Sequence, residues 1–368
     1  MDQSLAEFYR KYSQQIDPPG IPSGSVLRHP DVQLTLERRF FNQPASEYSA
    51  YQAKILRAVV ERIQQAIEGN DEEEVSDHLM TLLATLPHSR PTVDLSKTLV
   101  SYVPPVGFDA DIDPIEILEA KKIIGSGPNT GLRTWEAALR LASYLHSQPE
   151  LIRGKRVLEL GAGTGFLSIF CAAYLQPETV TATDGHEDVL VSLEENVERN
   201  SHHYQGTSHP TVQRLYWGDE DDLSRIIRRR GDATQPGPSA SDGIDELSTT
   251  QGQMNYKNQL SPSSTERPYD IIIGADITYE PEACKALAET LSRLAKANPY
   301  TDILISATQR NLQTLSGFLD ECHGPDCGLR VEVVKYDVPP LNKQTGLFHN
   351  IVSPIQIFAM RYSPPEIS

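Results

Sequence analysis

Between an apolar run and an amphipathic one the chain reads Glu159-Leu160-Gly161-Ala162-Gly163-Thr164-Gly165. Glycines at alternate positions let backbone approach a ligand closely, and the helix predicted to follow offers free N–H groups to a polar or anionic partner. Counted from Gly161, the dinucleotide pattern GxGxxG finds Phe166 in place of its third glycine, so nicotinamide chemistry is disfavoured. A glycine turn alone is a tight strand-to-helix connection. Here a second acid accompanies it: Asp184 closes the next strand-like run, Val180-Thr181-Ala182-Thr183-Asp184, 23 residues beyond Gly161. A carboxylate so placed can accept both hydroxyls of a ribose, or else cap the helix that begins near Glu187, a task open also to His186 or Asp188. The two tryptophans of the chain complete the set. Trp217 ends a third strand-like run and Trp135 opens a helical one; each is expected at the ligand crevice, where a flat ring can stack, against the alternative of core packing.

The fourth strand-like run ends Gly274-Ala275-Asp276-Ile277-Thr278-Tyr279, which puts Asp276 and Tyr279 at the carboxyl edge, where open α/β sheets bind substrates. Its ending is DxxY, not the [DN]PPY used for methylation of amide or base nitrogens. Taken together, ExGxGxG, Asp184 and DxxY resemble the S-adenosylmethionine-dependent methyltransferases, and within them the seven-strand, DxxY-type protein-lysine methyltransferase family. The run Thr130 to Leu145, the helix carrying Leu193, Asn196, Val197 and Asn200, the ADITY edge and SATQRN (306–311) narrow the resemblance to the branch acting on eukaryotic elongation factor 2. The resemblance implies a Rossmann-like methyltransferase sheet, a helical amino-terminal extension, S-adenosyl-L-methionine as cofactor with S-adenosyl-L-homocysteine as product, and transfer of up to three methyl groups to one lysine of translation elongation factor 2. It implies cofactor contacts at Trp135, Gly161, Ala162, Gly163, Asp184, Trp217 and Ala275, to which the motif adds Glu159 and Gly165. The turn at 125–129 departs from the family pattern, with Pro128 and Asn129 in a stretch that is simpler elsewhere.

For transfer to a lysine, the chemistry requires an uncharged amine held in line with the methyl donor. A carboxylate beside that amine favours its charged form, so Asp276 is expected to capture and orient the lysine, and Tyr279 to form a wall and hydrogen-bond partner. Alternative readings are methylation of another protein, of a small molecule or of RNA, or a binding module that keeps the cofactor without turnover.

The elements that must position these residues follow a βαβ rhythm. Strand-like runs at Arg156–Leu160, Thr179–Thr183, Val212–Trp217, Tyr269–Ala275 and Asp302–Ala307 alternate with helical patterns at Gly165–Tyr174, Glu187–Asn200, Pro281–Ala297 and Leu312–Cys322. That alternation predicts a parallel, helix-covered sheet. Leu329–Tyr336 and Ser353–Arg361 have no helix between them and are expected to close it as an antiparallel hairpin, giving seven strands in a domain spanning 121–368. From Asp232 to Thr265, Pro, Gly, Ser, Thr, Gln and Asn make up 22 of 34 residues; so polar a stretch is expected to be a disordered insertion, a tolerated spacer or a site of modification or partner binding.

Residues 1–120 read as an acidic helical extension, with 19 acidic against 10 basic side chains. Steps of three and four from Tyr51 to Ile67 predict one helix, and Leu79, Leu82, Leu83 and Leu86 a second, with Asp71–Glu74 in its first turn to suit the macrodipole. The pair is expected to be antiparallel, either a docking surface or a packing extension. A short strand is expected at Thr98–Val103, and a Gly-rich turn followed by a helix across Ile115–Leu145. The net charge of −17 makes duplex nucleic acid an unfavourable partner. The chain shows neither a membrane-spanning run nor a signal-peptide pattern, so a soluble cytoplasmic monomer is expected. Four cysteines (Cys171, Cys284, Cys322, Cys327) without zinc-ligand spacing read as reduced, buried thiols, and no metal is expected.

Overall fold

A computed structural model describes residues 2–69, 73–87, 97–108, 112–120, 128–204, 206, 209–227 and 269–363. The polar insertion at 232–265 and the turn at 125–127 lie outside the described residues. Among the described residues the amino-terminal unit has five α-helices: α1 (Gln3–Ser13), α2 (Gly24–Leu27), α3 (Pro30–Arg39), α4 (Ala50–Ile67) and α5 (Asp77–Thr85). The first three were not anticipated, because their apolar residues are split among short segments; Phe8, Tyr12, Phe40 and Phe41 meet only in three dimensions, as an aromatic cluster. Ser49 begins α4 with a capping box, exchanging hydrogen bonds with Gln52. Ser76 caps α5, so Glu73 and Glu74 precede the helix instead of filling its first turn, and Glu73 pairs with Arg28 at 3.3 Å.

Next come β1 (Lys97–Tyr102), β2 (Ile115–Ala120), α6 (Glu136–Ser147), β3 (Arg156–Leu160), α7 (Phe166–Tyr174), β4 (Thr179–Asp184), α8 (Glu187–Arg199), β5 (Thr211–Arg214), α9 (Glu220–Ile227), β6 (Ile271–Ala275), α10 (Pro281–Ala297), β7 (Asp302–Thr308), α11 (Leu312–His323), β8 (Leu329–Val334) and β9 (Ile355–Tyr362). Seven strands form one sheet in the order β5-β4-β3-β6-β7-β9-β8. The first five run parallel, and β9 lies antiparallel between β7 and β8. Central strands are apolar on both faces because helices cover both: Val157, Ile271 and Ile273 join the core under α6 and α7, while Leu158, Ile272 and Ile303 join that under α10 and α11. All four cysteines are buried free thiols. No helix among the described residues is long and apolar enough to cross a membrane.

Ahead of the expected Gly-rich turn, Ile115–Ala120, where no strand was expected, form β2, paired antiparallel with β1. Its buried face consists of Ile115, Ile117 and Glu119, and the charged residue breaks the apolar alternation that would have marked a strand. The ribbon is stitched to α8 by two fully buried asparagines one turn apart. Asn196 accepts the Leu118 N–H at 2.8 Å and donates to the carbonyls of Thr164 and Leu118; Asn200 accepts the Glu116 N–H at 2.9 Å and donates to the Glu116 carbonyl at 2.8 Å. The spacing of four on a helix meets alternate residues of a strand edge, so each side-chain amide continues the ladder that β2 would otherwise leave unpaired.

Candidate functional site

The carboxyl ends of β3, β4, β6 and β7 share one edge of the sheet, and the site is built there. Beyond β3 the chain turns through Gly161 and Gly163 at φ of +60° and +56°, values that disfavour any residue with a Cβ. A Cβ on Gly163 would stand 2.9 Å from the Gly131 carbonyl oxygen, and one on Gly161 2.6 Å from Ile277. The turn is thus clasped between the segment ahead of α6 and the loop after β6. Glu159, on β3 beneath it, is buried, and its carboxylate accepts the Ser168 N–H at 2.9 Å and hydroxyl at 2.5 Å in the first turn of α7. Burial pushes that carboxyl up to about 8. Asp184 ends β4, accepting the N–H of Gly163 at 3.1 Å and of His186 at 3.2 Å. Burial raises its pKa too, against those hydrogen bonds.

Trp217 lies three residues past the end of β5, not at its end as expected, and is half-buried at the edge of the core. Its loop is held by Asp222, fully buried, which accepts the Tyr216 N–H at 3.0 Å and pairs with Arg214 at 2.8 Å and with Arg225. Nothing in the sequence singled out Asp222, since its partners lie across a turn and on a strand.

Beyond β6 the chain reverses at Asp276, whose φ is +53°. Its N–H donates to the Ser306 carbonyl at 2.8 Å, and its carboxylate accepts the Thr308 N–H at 2.8 Å and hydroxyl at 3.0 Å. Burial raises its pKa, opposed by Thr308 and by the charge of Arg310. Tyr279 is half-exposed, its hydroxyl 3.3 Å from that of Thr130. Trp135 stands just ahead of α6, its ring N–H donating to the Thr130 carbonyl at 3.0 Å. Arg310, for which no role was read from the sequence, places its guanidinium 4.6 Å from the centre of the Trp135 ring.

These elements surround a cavity of about 560 Å³. Trp135, Glu159, Gly161, Ala162, Gly163, Asp184, Trp217, Ala275, Asp276 and Tyr279 all line it. Gly165 does not: it sits at the start of α7 with φ +81°, and a Cβ there would meet Leu193 of α8 at 2.3 Å, so its glycine serves packing. Among the described residues, one group has ligand atoms close enough for a metal ion, Asp113 with His202 and His203, and it lies outside the cavity lining.

A family model described as lysine methyltransferase matches residues 116–229 and 245–323, just over half of the chain. Protein-lysine N-methyltransferase EFM3 of Chaetomium thermophilum is 31% identical over 364 residues, covering 97% of each chain. The EFM3 of Saccharomyces cerevisiae is 27% identical over 310 residues, 79% of this chain and 77% of its own. Protein-lysine N-methyltransferase EEF2KMT of Bos taurus is 27% identical over 224 residues, 60% of this chain and 58% of its own. Through a matching family model and a likeness that runs nearly end to end, the chain belongs to the lysine methyltransferase family, and it is a protein-lysine N-methyltransferase.

Proposed function

We propose that this enzyme takes S-adenosylmethionine into the cavity and methylates a lysine of translation elongation factor 2, up to the trimethyl form, in the cytoplasm. The observation that carries the reading is that one cavity joins a glycine turn, a buried acid and a half-buried tryptophan to an acid and a tyrosine at its mouth. The substrate is carried over from the name of the cattle relative, EEF2KMT, and from the sequence resemblance.

The residues fit the cofactor. The volume falls within the roughly 300–1,000 Å³ of small-molecule sites, and each Asp184 oxygen takes one backbone N–H at over 3 Å, leaving lone pairs for a ribose. Asp184 would hold the sugar, Trp217 would flank the base, and Gly161–Gly163 and Trp135 would border the remainder. When bound, the cofactor supplies a methyl group on a sulfonium, reactive enough to transfer to a neutral amine.

What remains for the chain is to hold that amine, keep it uncharged and exclude water. At pH 7 a free lysine, with a pKa near 10.4, is neutral only at a cost of about 4–5 kcal/mol. Asp276 is given capture and orientation, because a carboxylate beside the amine favours the ammonium. Tyr279 is the wall and hydrogen-bond partner of the nitrogen.

The test incubates the purified protein with labelled S-adenosylmethionine and an extract lacking this activity, followed by mass spectrometry of the labelled band. Methylated lysine in elongation factor 2 is the expected result. Label on a different protein overturns the substrate, and no label despite calorimetric cofactor binding overturns the catalytic reading. In the same assay Asp276→Ala should keep cofactor binding and lose turnover; unchanged kcat/KM would remove Asp276 from the site.

A further inference from the structure

The mouth of the cavity already holds a cation of the protein's own. Arg310, two residues beyond β7, brings its guanidinium to 3.5 Å from the Glu136 carboxylate and 3.6 Å from that of Asp276, while lying against the Trp135 ring. Both distances are long for a hydrogen bond, so the contacts are of charge. Thr308 provides the hydrogen bonds that orient Asp276, and Arg310 remains half exposed.

We propose that Arg310 is a positioning residue whose charge offsets Asp276 and Glu136, so that the incoming lysine is gathered without being trapped as an ammonium. The inference rests on the reading of Asp276 as the residue that meets the lysine. Two carboxylates facing an amine without a counter-charge would favour its protonated form, which cannot accept a methyl group. A guanidinium within 4 Å of both removes most of that bias and adds a like charge that favours the neutral amine. Arginine suits the task because it stays charged throughout the working pH range and lies flat on an aromatic face.

The other charged and titratable groups facing this corner leave the balance acidic. The Arg133 guanidinium lies 5.3 Å from the centre of the Trp135 ring, Glu280, Glu282 and Tyr279 line the cavity, and His349 is within electrostatic reach of Arg140 and of Glu136. Loss of Arg310 therefore exposes the amine to a surplus of carboxylates.

The test measures kcat and KM separately against pH, from about 6.5 to 10, for wild type, Arg310→Met, Arg310→Lys and Asp276→Asn, using the acceptor protein identified by the labelling experiment. In Arg310→Met the ascending limb of kcat, which reports the amine in the enzyme–substrate complex, should move up by about one pH unit, a tenfold loss of kcat at pH 7, since one pKa unit is a factor of ten in the neutral fraction. KM for the acceptor should fall as kcat falls, and Arg310→Lys should keep the limb where wild type has it. A limb that stays in place, with activity lowered uniformly or not at all, overturns the inference. Full activity of Asp276→Asn at every pH overturns the reading beneath it as well; an inactive Asp276→Asn beside an unmoved Arg310→Met limb overturns only the role of Arg310. Melting monitored by circular dichroism checks folding, and Arg310→Gln replaces the methionine variant should that one not fold.

Discussion

Replacing Glu159 by glutamine should flatten the pH dependence of folding by an amount that follows from the burial of one carboxyl. Glu159 is 3% exposed, and its stabilising partners are the Ser168 N–H and hydroxyl, with the charge of Asp184 acting against ionisation. Its pKa is about 8 in the folded protein against 4.5 for the free side chain. The folded chain therefore holds a proton that the unfolded chain releases, and stability falls as pH rises between those two values. The penalty is absent below about pH 4, roughly 1 kcal/mol at pH 5 and about 3 kcal/mol at pH 7, and it levels off near 5 kcal/mol once the folded group itself ionises above about pH 9. A glutamine cannot ionise, and its amide can still accept the Ser168 N–H while donating to the hydroxyl. Urea unfolding of both proteins at pH 5, 6, 7 and 8 gives the difference directly, and the subtraction cancels Glu119, Asp184 and Asp276, whose pKa values burial also raises. The variant should gain about 2 to 3 kcal/mol on wild type between pH 5 and pH 7. A difference constant with pH would mean that Glu159 is charged in the folded protein, and the account of the turn's foundation would be wrong.

Gly165→Ala should destabilise the fold by about 1–2 kcal/mol, the cost of a left-handed residue with a Cβ, while cofactor affinity per folded molecule stays within about twofold; calorimetry showing a loss of about tenfold would return Gly165 to the ligand turn. Asn196→Leu should cost about 3 kcal/mol, because the Leu118 N–H and the Thr164 carbonyl are left buried and unpaired, and the Leu118 amide should exchange faster with solvent. Unchanged exchange at Leu118 would show that Asn196 does not hold the ribbon.

What could be read from the sequence was whatever is local. β3 and α10 fall at the expected residues because a buried parallel strand is one apolar run and a covering helix one periodic stretch. Asp184 and Asp276 were legible for a related reason: in a parallel sheet the carboxyl ends of the strands share one edge, so residues that close strands in sequence gather on one side of the sheet. Contacts that close the site from elsewhere were not legible. Arg310 reaches Glu136 across 174 positions of chain, counted from their residue numbers, and only the sheet order brings them together. β2 was missed because Glu119 faces inward, where it accepts hydrogen bonds from the Tyr102 hydroxyl at 2.6 Å and the Thr134 N–H at 3.3 Å. That pairing is a link in the support of the site, since Thr134 in turn meets Thr164 of the glycine turn at 2.8 Å.

The amino-terminal helices are tied to the same mouth by a chain of specific contacts. Arg10 of α1 is buried and donates to the carbonyls of Val106, Gly107 and Thr345, and Gln14 exchanges hydrogen bonds with the Phe348 backbone at 2.5 and 2.8 Å. The segment they grip runs on to Pro354, whose carbonyl accepts the N–H of Gln309, the residue before Arg310. One face of α1 is thus committed to fixing the loop that runs beside Arg310, and burial of an arginine there is tolerated because backbone carbonyls satisfy its donors. A helix that spends its polar side chains in this way sets the shape of the entrance, so a change at Arg10 should be felt in the handling of the protein substrate more than in the binding of a small cofactor at the far side of the turn.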